Sequence, residues 1–342
     1  REDLIKSIYC ALFKHNSEVW YKFFDKFQLC VFRKFHNSGI FAQRATYRAD
    51  FARVLQTDSC IITHMSNITI AFQGELGAYS EQAITQINPG ATAIPCKSFE
   101  DVFTALSSEA VTYALIPIEN SIAGRVADIH HLLPKNDIYI IGEHFEPIHH
   151  QLLAPQGATL EGITDVYSHV HALGQCRDFI RTHSLAANVH ADTAGAALDV
   201  SKWNDPTRAA IASSLSAKRY GLAILAEDIE DATHNTTRFL LLSRVSSVPP
   251  VDSDVITTII FTLRSVPAAL YKAIGGFATS GINLSKIESY LSGEHFSLAQ
   301  FYIDVEGHPE SKNMKHAMEE LRYFSNEVRI LGTYPAHSFR RN

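Results

Sequence analysis

The alternation of short apolar segments with helical segments constrains the fold of this chain more than any other feature. Between residues 68 and 244, apolar runs of strand length are separated by amphipathic stretches. The strand candidates are Ile68–Phe72, Tyr113–Ile118, Ile138–Gly142, Gln151–Ala154, Val166–Ser168, Ala209–Ala212 and Phe239–Ser243, and the helical candidates include Ser98–Ser108, Leu173–Thr182 and Thr193–Trp203. This pattern predicts an α/β architecture with largely parallel strands and helices on both faces of the sheet.

Residues 246–254 interrupt this alternation. They contain Pro249 and Pro250, which lack a backbone donor and favour an extended chain, so we interpret the segment as a linker. The elements predicted beyond it are Val255–Leu263, Val266–Thr279, Ile282–Tyr290, Phe296–Val305, Met314–Phe324 and Val328–Thr333. Their order is strand, helix, two strands, helix and strand, which is typical of the small ferredoxin-like βαββαβ unit.

Residues 1–64 differ in composition from the rest of the chain. They carry ten Lys and Arg against six Asp and Glu, whereas the remainder carries twenty against thirty. The first methionine is Met65, directly before the first predicted strand. The segment could be a true extension, a targeting leader, or upstream sequence translated from an incorrectly assigned start. We favour a dispensable or incorrectly assigned segment and expect it to carry none of the chemistry.

Charge and cysteine content narrow the possible functions. The net charge of -6 argues against nucleic-acid binding, which needs a dense basic face. No apolar run approaches the roughly 20 residues that span a bilayer, so no membrane partner is expected. The five cysteines form no CxxC pair, which indicates a reducing compartment, and we expect a cytoplasmic location unless residues 1–64 direct the chain to an organelle. No metal site is expected, because adjacent histidines such as His149 and His150 point in different directions.

Polar side chains cluster next to four of the predicted strands. The four segments are Gly74–Ser80, Pro117–Val126, Ser168–Cys176 and Asn235–Phe239. In open α/β sheets, ligands bind at the carboxyl ends of strands, where such side chains project into a crevice. A glycine-rich turn before a helix can offer free N–H groups to an anion, but it is also an ordinary connection. Asn120, Ser121 and Ser168 could likewise be only helix caps.

Taken together and in this order, the four segments resemble the prephenate dehydratase family. That family has a glycine-rich first turn, a Pro-Ile-Glu-Asn-Ser block, a Ser-His…Gln-Cys block and an Asn-x-Thr-Arg-Phe block. The resemblance covers about residues 67–335 and implies a catalytic domain over residues 67–245. It also implies two lobes, as in periplasmic solute-binding folds, with the active site in the cleft between them.

The resemblance implies conversion of prephenate to phenylpyruvate, with loss of carbon dioxide and of the ring hydroxyl as water. No cofactor is expected, because aromatisation drives the reaction and the departing carboxylate supplies the electrons. The protein must then bind a dianion, orient it, and help a poor leaving group to depart.

Nine residues are assigned to the active site by their match to the family motifs. The catalytic candidates are Glu119, Asn120, Ser168, Gln175 and Thr237, and the substrate-binding candidates are Ser80, Ser121, Asn235 and Arg238. Thr237 is expected at the leaving hydroxyl as a hydrogen-bond donor or proton relay. Arg238 is the candidate for a substrate carboxylate. Glu119 would repel a dianion unless it is protonated or paired, so it could instead organise Arg238 or Arg125.

Residues 255–335 resemble the ACT regulatory family. Ala268–Tyr271 matches its Gly-Ala-Leu segment, with Ala268 where glycine is usual, and Gly281–Ser289 matches its next segment, followed by Tyr290-Leu291 in place of Arg-Pro. The resemblance implies inhibition by L-phenylalanine and a homodimer or homotetramer. The expected pocket residues are Ala268, Ala269, Leu270, Asn283, Leu284, Glu288 and Ser289. A domain used only for dimerisation is the alternative.

Three other functions compete with prephenate dehydratase activity. Arogenate dehydratase performs the same chemistry on the transaminated substrate, and nothing in the sequence decides between the two. A non-catalytic amino-acid-binding or solute-binding protein could use the same scaffold, although Thr237, Asn120 and Gln175 argue against it. A chorismate mutase in residues 1–64 is disfavoured, because the segment is short and lacks clean helical periodicity.

Overall fold

The computed structural model describes residues 68–292 and 298–341, so the predictions for residues 1–64 lie outside it. The strands are β1 (Thr69–Gln73), β2 (Thr92–Cys96), β3 (Tyr113–Asn120), β4 (Gly124–Arg125), β5 (Tyr139–Pro147), β6 (Gln151–Ala154), β7 (Asp165–His169), β8 (Ala186–His190), β9 (Arg208–Ala212), β10 (Ala223–Ala226), β11 (Thr236–Ser243), β12 (Val255–Leu263), β13 (Leu284–Ser292), β14 (Leu298–Glu306) and β15 (Ser325–Pro335). The helices are α1 (Tyr79–Ile87), α2 (Phe99–Ser107), α3 (Ala127–Leu132), α4 (Val170–Gln175), α5 (Arg177–Thr182), α6 (Thr193–Trp203), α7 (Ser214–Tyr220), α8 (Ala269–Thr279) and α9 (Lys312–Phe324). Within the described residues, no helix combines the length and the apolar character needed to cross a membrane.

The strands that precede residue 244 form two mixed sheets. The first has the order β2-β1-β3-β11-β5, with β4 paired to β3, and the second has the order β10-β6-β9-β7-β8. β1 is parallel to β2 and β3, whereas β11 is antiparallel to both β3 and β5. The prediction of largely parallel strands is therefore wrong. A strand that is buried on both faces is an apolar run in either direction, so the sequence pattern does not report strand direction.

Helices cover both faces of the first sheet. Ile70 and Phe72 of β1 share a buried cluster with Ala83 of α1, while Ala71 between them lies in a cluster with Val102 of α2. This division follows from the alternation of side chains along a strand. Each large apolar side chain that is buried in this way contributes about 1.5–3 kcal/mol.

The chain passes twice between the two sheets. We call the first sheet with α1–α3 the first lobe, and the second sheet with α4–α7 the second lobe. Residues 148–150 form the first crossover and residues 227–235 the second. The Ile148 amide donates to the Asn235 carbonyl at 2.8 Å, and the Ile229 amide donates to the His150 carbonyl at 2.9 Å. The two crossovers therefore lie side by side between the lobes.

Residues 255–335 form a separate antiparallel sheet with the order β13-β14-β12-β15. Together with α8 and α9 it has the expected βαββαβ element order of a ferredoxin-like unit. Both helices pack on one face of this sheet, around Phe261, Phe277 and Met318. Residues 246–254 connect β11 to β12 without a helix or strand.

The other face of this sheet packs directly on the first lobe. Tyr302 and Leu331 belong to the same buried cluster as Ile140 of β5. At Gly332 of β15, a Cβ atom would lie 2.0 Å from the carbonyl oxygen of Ile140. Any side chain there would collide with the backbone of β5, so glycine permits this close approach.

His130 is buried where the first lobe meets the ferredoxin-like unit. Its side chain is 2% exposed, and its ring packs edge-on against Tyr302 with 5.1 Å between centroids. Neither ring nitrogen has a hydrogen-bond partner among the described residues. Burial, together with the nearby positive charge of Lys286, lowers the pKa of His130 to about 4.

We expect the pKa of His130 to make stability depend on pH. Between about pH 6.5 and pH 4 the unfolded chain binds a proton that the folded chain does not, so the free energy of unfolding falls as the pH drops, by up to about 3 kcal/mol. His130→Phe should remove most of this loss, measured by urea unfolding at pH 7 and at pH 5. His131→Phe, at the exposed neighbour, should keep it. The same pH dependence in His130→Phe and the unmodified chain would contradict the assignment.

Candidate active site

The end of β3 and the start of β11 bring the central site residues together. In the register of the sheet, Thr237 lies opposite Asn120 on one side and opposite Glu146 of β5 on the other. Residues that are directly opposed in an antiparallel pair project to the same face. We call the face that carries Asn120, Thr237 and Glu146 the cleft face. Glu119 and Arg238 are the next opposed pair and project to the other face.

Asn120 holds Thr237 in a defined orientation. The Asn120 side-chain oxygen accepts from the backbone N–H groups of Ile122 and Ala123, at 3.0 and 2.8 Å. Its Nδ2 is thereby turned towards Thr237 Oγ1 at 3.0 Å and towards Asn235 Oδ1 at 2.8 Å. Because Thr237 Oγ1 accepts this hydrogen bond, its own proton is free to be donated to a ligand.

Gln175, the last residue of α4, joins the same network from the second lobe. Its Oε1 accepts from Asn235 Nδ2 at 3.0 Å and lies 2.8 Å from His150 Nε2. The Tyr79 hydroxyl lies 2.7 Å from His150 Nδ1 and 3.0 Å from the carbonyl oxygen of His149. The two ring contacts of His150 are satisfied together when His150 is neutral and carries its proton on Nε2, and the single Tyr79 proton is then donated to Nδ1 in preference to the His149 carbonyl. Burial lowers the pKa of His150 and favours this neutral form.

Six side chains therefore form one continuous chain of hydrogen bonds, which we call the cleft relay. Its members are Tyr79, His150, Gln175, Asn235, Asn120 and Thr237. Four of them were predicted from the sequence. Sequence patterns do not identify Tyr79 and His150, because Tyr79 directly follows the glycine-rich turn and His150 is one of two adjacent histidines. No sequence spacing indicates that the first crossover lies beside α1 and α4.

None of the three predicted serines is a member of the relay. Ser168 is fully buried in β7, where its hydroxyl donates to the Ile211 carbonyl at 2.6 Å. Ser121 accepts from the Thr236 amide at 2.9 Å and thereby ties the end of β3 to β11. Ser80 lies buried in the first turn of α1, next to Tyr79.

The glycine-rich turn contacts the second lobe. The Gly77 N–H donates to Glu81 Oε2 at 2.5 Å, and the Gly77 carbonyl accepts from the hydroxyl of Ser213 at 2.5 Å. Gly77 has a φ of +94°, and a Cβ atom there would lie 2.7 Å from Ser216 Oγ. The turn thus allows close docking of α7 on α1. The expectation that its N–H groups could receive an anion does not hold for Gly77.

Arg238 does not lie in the cleft, which corrects the prediction that it binds a substrate carboxylate. Its side chain is 2% exposed and faces the ferredoxin-like unit. The guanidinium bonds to Glu143 and Asp304 at 2.8 and 2.6 Å, and to the Tyr334 hydroxyl at 3.0 Å. The physical reason is the alternation of side chains along β11, which turns Arg238 away from the face that carries Thr237.

Glu119 shares this position behind the cleft, which also corrects its assignment to the catalytic set. It accepts from Arg238 at 3.0 Å and pairs with Lys286 of β13. Burial acts to raise the pKa of Glu119, but Lys286 and Arg238 outweigh it and hold the pKa below its ordinary value. The alternative that Glu119 organises Arg238 describes the observed contacts.

A buried carboxylate, Glu146, also lies on the cleft face. Its side chain is 1% exposed and accepts from Gln82 and Gln86 at 2.8 and 2.9 Å. Its second oxygen lies 2.9 Å from His144 Nε2. Sequence reasoning did not identify Glu146, because the strand that bears it was expected to end at Gly142. It lies opposite Thr237 in the sheet, with both oxygens bound by α1 and His144.

Among the described residues, His149, Asp228 and Glu230 bring one possible metal-ligand atom each within 4.8 Å of one another. The His149 Nδ1 atom already lies 2.9 Å from Glu230 Oε1, and Glu230 Oε2 accepts the backbone N–H of His150 at 2.8 Å. His149 and Asp228 are more than half exposed. Hydrogen bonding between the two crossovers accounts for this group, and we assign no ion to it.

Removal of Arg238 should destabilise the protein strongly. In Arg238→Met, the fully buried Asp304 loses its cationic partner at 2.6 Å and keeps only the cation of Arg340 at 3.8 Å, while Glu143 keeps Arg340 at 2.7 Å. We therefore expect the free energy of unfolding to fall by about 3 kcal/mol. The control is Arg125→Met, whose more exposed ion pair with Glu288 should contribute only about 0–1 kcal/mol. Urea unfolding measures both, and equal losses would contradict the central role of Arg238.

Comparison with known proteins shows which family this chain resembles. Residues 70–247 match the family model described as prephenate dehydratase. The chain is 45% identical over 273 residues to a protein of Komagataeibacter europaeus described as a bifunctional N-acyl-homoserine lactone acylase/prephenate dehydratase, covering 80% of this chain and 97% of that protein. It is 37% identical over 283 residues to arogenate dehydratase/prephenate dehydratase 2, chloroplastic, of Arabidopsis thaliana, covering 80% and 74% of the two chains.

A solved structure of similar sequence has the same fold. Prephenate dehydratase of Arthrobacter aurescens in complex with L-Phe superposes with a TM-score of 0.73 at 32% identity, covering 79% of this chain and 90% of that chain. The similarity therefore extends beyond residues 70–247 into the ferredoxin-like unit.

Proposed function

Since this chain belongs to the prephenate dehydratase family and is a dehydratase, we propose that it converts prephenate to phenylpyruvate, water and carbon dioxide in phenylalanine synthesis. The observation that carries the proposal is the contact between Asn120 Nδ2 and Thr237 Oγ1 at 3.0 Å. It leaves the Thr237 proton directed to the cleft, where a leaving hydroxyl needs a donor. The expected cytoplasmic location stays a prediction, and the Arabidopsis relative is described as chloroplastic.

The reaction requires little covalent help from the protein. The bond between the ring carbon and the carboxylate breaks, its electron pair completes the aromatic ring, and the ring hydroxyl leaves with its bonding pair. Negative charge develops on the departing oxygen, and a donor fixed in advance stabilises that charge without reorganisation. Thr237 supplies this hydrogen bond, and the proton that completes the water molecule comes finally from solvent.

Gln175 is the relay member that reaches the cleft from the second lobe. Its Oε1 is occupied by Asn235 and His150, so its NH₂ group remains available to a substrate oxygen. A ligand held by Gln175 and Thr237 would be contacted by both lobes at once. Such positioning of a single substrate is the main contribution a protein can make to a unimolecular elimination.

Arogenate dehydratase is the second candidate function. Its substrate carries an ammonium group where prephenate carries a keto group, so it has less net negative charge. Glu146 and Glu230, both largely buried, lie near Tyr79 of the relay and are electrostatically better suited to that substrate. The Arabidopsis relative is described as having both activities.

Substitution of Thr237 tests the dehydratase proposal directly. Thr237→Val keeps the shape of the side chain but removes the donor, so we expect the rate of phenylpyruvate formation from prephenate to fall about 10²–10³-fold. Thr236→Val is the matched control, because that side chain points to the opposite face of β11 and makes no hydrogen bond among the described residues. Prephenate and arogenate are assayed in parallel.

Each outcome of this assay has a definite meaning. Turnover of arogenate with no turnover of prephenate would favour the second candidate. A Thr237→Val variant that keeps most of the wild-type rate would remove Thr237 from the mechanism. Well-folded protein that acts on neither substrate would contradict the proposed dehydratase activity and favour a binding protein.

We also propose that the ferredoxin-like unit is an ACT domain that binds L-phenylalanine. The proposal is supported by the Arthrobacter structure, which is described as a complex with L-Phe. Among the expected pocket residues, Ala268 precedes α8 with a left-handed φ of +59°, at the position where the resemblance has glycine. Asn283 directly precedes β13. β13 is also the edge of its sheet, where a second copy of a homodimer or homotetramer could pair.

Inhibition by L-phenylalanine is the expected consequence. We expect the amino acid to lower the dehydratase rate and to raise the thermal midpoint, because it binds only the folded chain. Asn283→Ala should raise the half-inhibiting concentration about 10-fold, as the loss of one hydrogen bond to a charged ligand predicts. Asn326→Ala, at the start of β15, is the control. No effect of L-phenylalanine on rate or midpoint would leave the unit as a dimerisation domain.

A further inference from the structure

Tyr79 and His150, at the end of the cleft relay that is farthest from Thr237, have no assigned role. Tyr79 stands at the start of α1 in the first lobe, and His150 lies in the first crossover, where its side chain is nearly fully buried. Their contacts are short: Tyr79 Oη to His150 Nδ1 is 2.7 Å, and His150 Nε2 to Gln175 Oε1 is 2.8 Å. Neither residue neighbours Thr237 in the sheet, and their hydrogen bonds lead towards Thr237 through Gln175.

The direction of these hydrogen bonds decides which end of Gln175 faces the cleft. A glutamine amide has an acceptor end and a donor end of nearly equal size. If His150 donates from Nε2, it fixes Oε1 of Gln175 and leaves the NH₂ group for the ligand. A neutral His150 donates from Nε2 when its Nδ1 accepts a hydrogen bond. The Tyr79 hydroxyl lies 2.7 Å from Nδ1, closer than its 3.0 Å to the His149 carbonyl, and is placed to donate that bond. Tyr79 therefore selects the tautomer of His150, and His150 selects the orientation of Gln175.

The surroundings of His150 support this single arrangement. Glu230 of the second crossover accepts the His150 backbone N–H at 2.8 Å and fixes the chain on which the ring stands. The other groups that bear on His150 are its neighbour His149 and the amide of Gln175, while Glu146 and Cys176 lie near Tyr79. Burial raises the pKa of Tyr79 well above its ordinary value, so its hydroxyl keeps the proton that it donates.

The relay also joins the two lobes through the crossover. Tyr79 belongs to the first lobe, Gln175 to the second, and His150 bridges them. A separate contact between the lobes, from the Tyr220 hydroxyl of α7 to the Leu76 carbonyl, does not include any relay member. The contact of Tyr220 with Leu76 holds the lobes together without touching Gln175, so it can be compared with the contacts of Tyr79 and His150, which also orient Gln175.

We propose that Tyr79 and His150 are positioning residues of the dehydratase reaction, which hold the Gln175 amide with its NH₂ group towards the cleft. The proposal rests on the proposed function. Their loss leaves the cleft chemically complete but removes one of the two donors to Gln175 Oε1, so that Asn235 alone holds the amide and its NH₂ group is less precisely placed. Since misplacement of a contacting group by about 1 Å can cost up to about 10²-fold in rate, we expect effects of about 10–100-fold on kcat.

The test is a set of single and double variants assayed with prephenate and arogenate. Tyr79→Phe and His150→Leu should each lower kcat about 10–100-fold with a smaller change in KM. His150→Gln, whose amide NH₂ can take the place of Nε2–H, should recover most of the lost kcat. Tyr220→Phe removes the separate contact between the lobes and should keep the wild-type kcat. Urea unfolding of each variant shows whether it is folded.

The double variant distinguishes a relay from two independent structural roles. If Tyr79 acts only through His150, Tyr79→Phe combined with His150→Leu should lose no more activity than His150→Leu alone. Losses that multiply, or wild-type kcat in either single variant, would overturn the positioning role while leaving the dehydratase assignment intact. Absence of turnover by the wild-type chain would overturn the proposed function and this inference with it.

Discussion

The buried guanidinium of Arg238 is the contact on which the arrangement of the described residues depends. A cation that is 2% exposed is tolerated only when carboxylates surround it, and here Glu143, Asp304 and Glu119 do so. Two of these come from the first sheet and one from the ferredoxin-like unit. The ion pairs of Arg238 therefore tie β11 to β3, β5 and β14 on the side of the sheet that faces away from the cleft. Thr237, one residue earlier, is presented to the cleft from a strand that has little freedom to move.

The same group of charges connects the cleft to the expected phenylalanine pocket. Glu119 is shared by Arg238 and Lys286, and Glu288 contacts both Lys286 and Arg125. Glu288 is thus linked through Lys286 to Glu119, which lies on the same strand, β3, as Asn120. Regulation of this kind needs an element whose state both sites influence. Strand β3, which bears Glu119 on one face and Asn120 on the other, has the position that such an element requires.

Sequence patterns predicted the elements with long apolar runs and missed those without. β8 was not predicted because its residues are mostly exposed, and β2 contains Pro95, which weakens a strand signal. The family motifs identified four relay residues by their positions in the sequence, but they gave no information about which residues contact one another. Tyr79 and His150 required the relative placement of a crossover and a helix, which no local pattern encodes. The position of Arg238 behind the cleft could have been predicted from the sequence. Successive residues of a strand point to opposite faces, so Thr237 and Arg238 cannot both face the cleft.

The passage of the chain through two crossovers has a consequence for how the protein is made. The second lobe is one uninterrupted stretch, whereas the first sheet needs β11, which the ribosome adds after the whole of that stretch. Until then, β3 and β5 each keep an unpaired edge of the kind that invites association with other chains. Closing this long loop is slow compared with local pairing. Thr237 and Asn235 arrive with that last strand, so a nascent chain has no assembled cleft before its first sheet is complete.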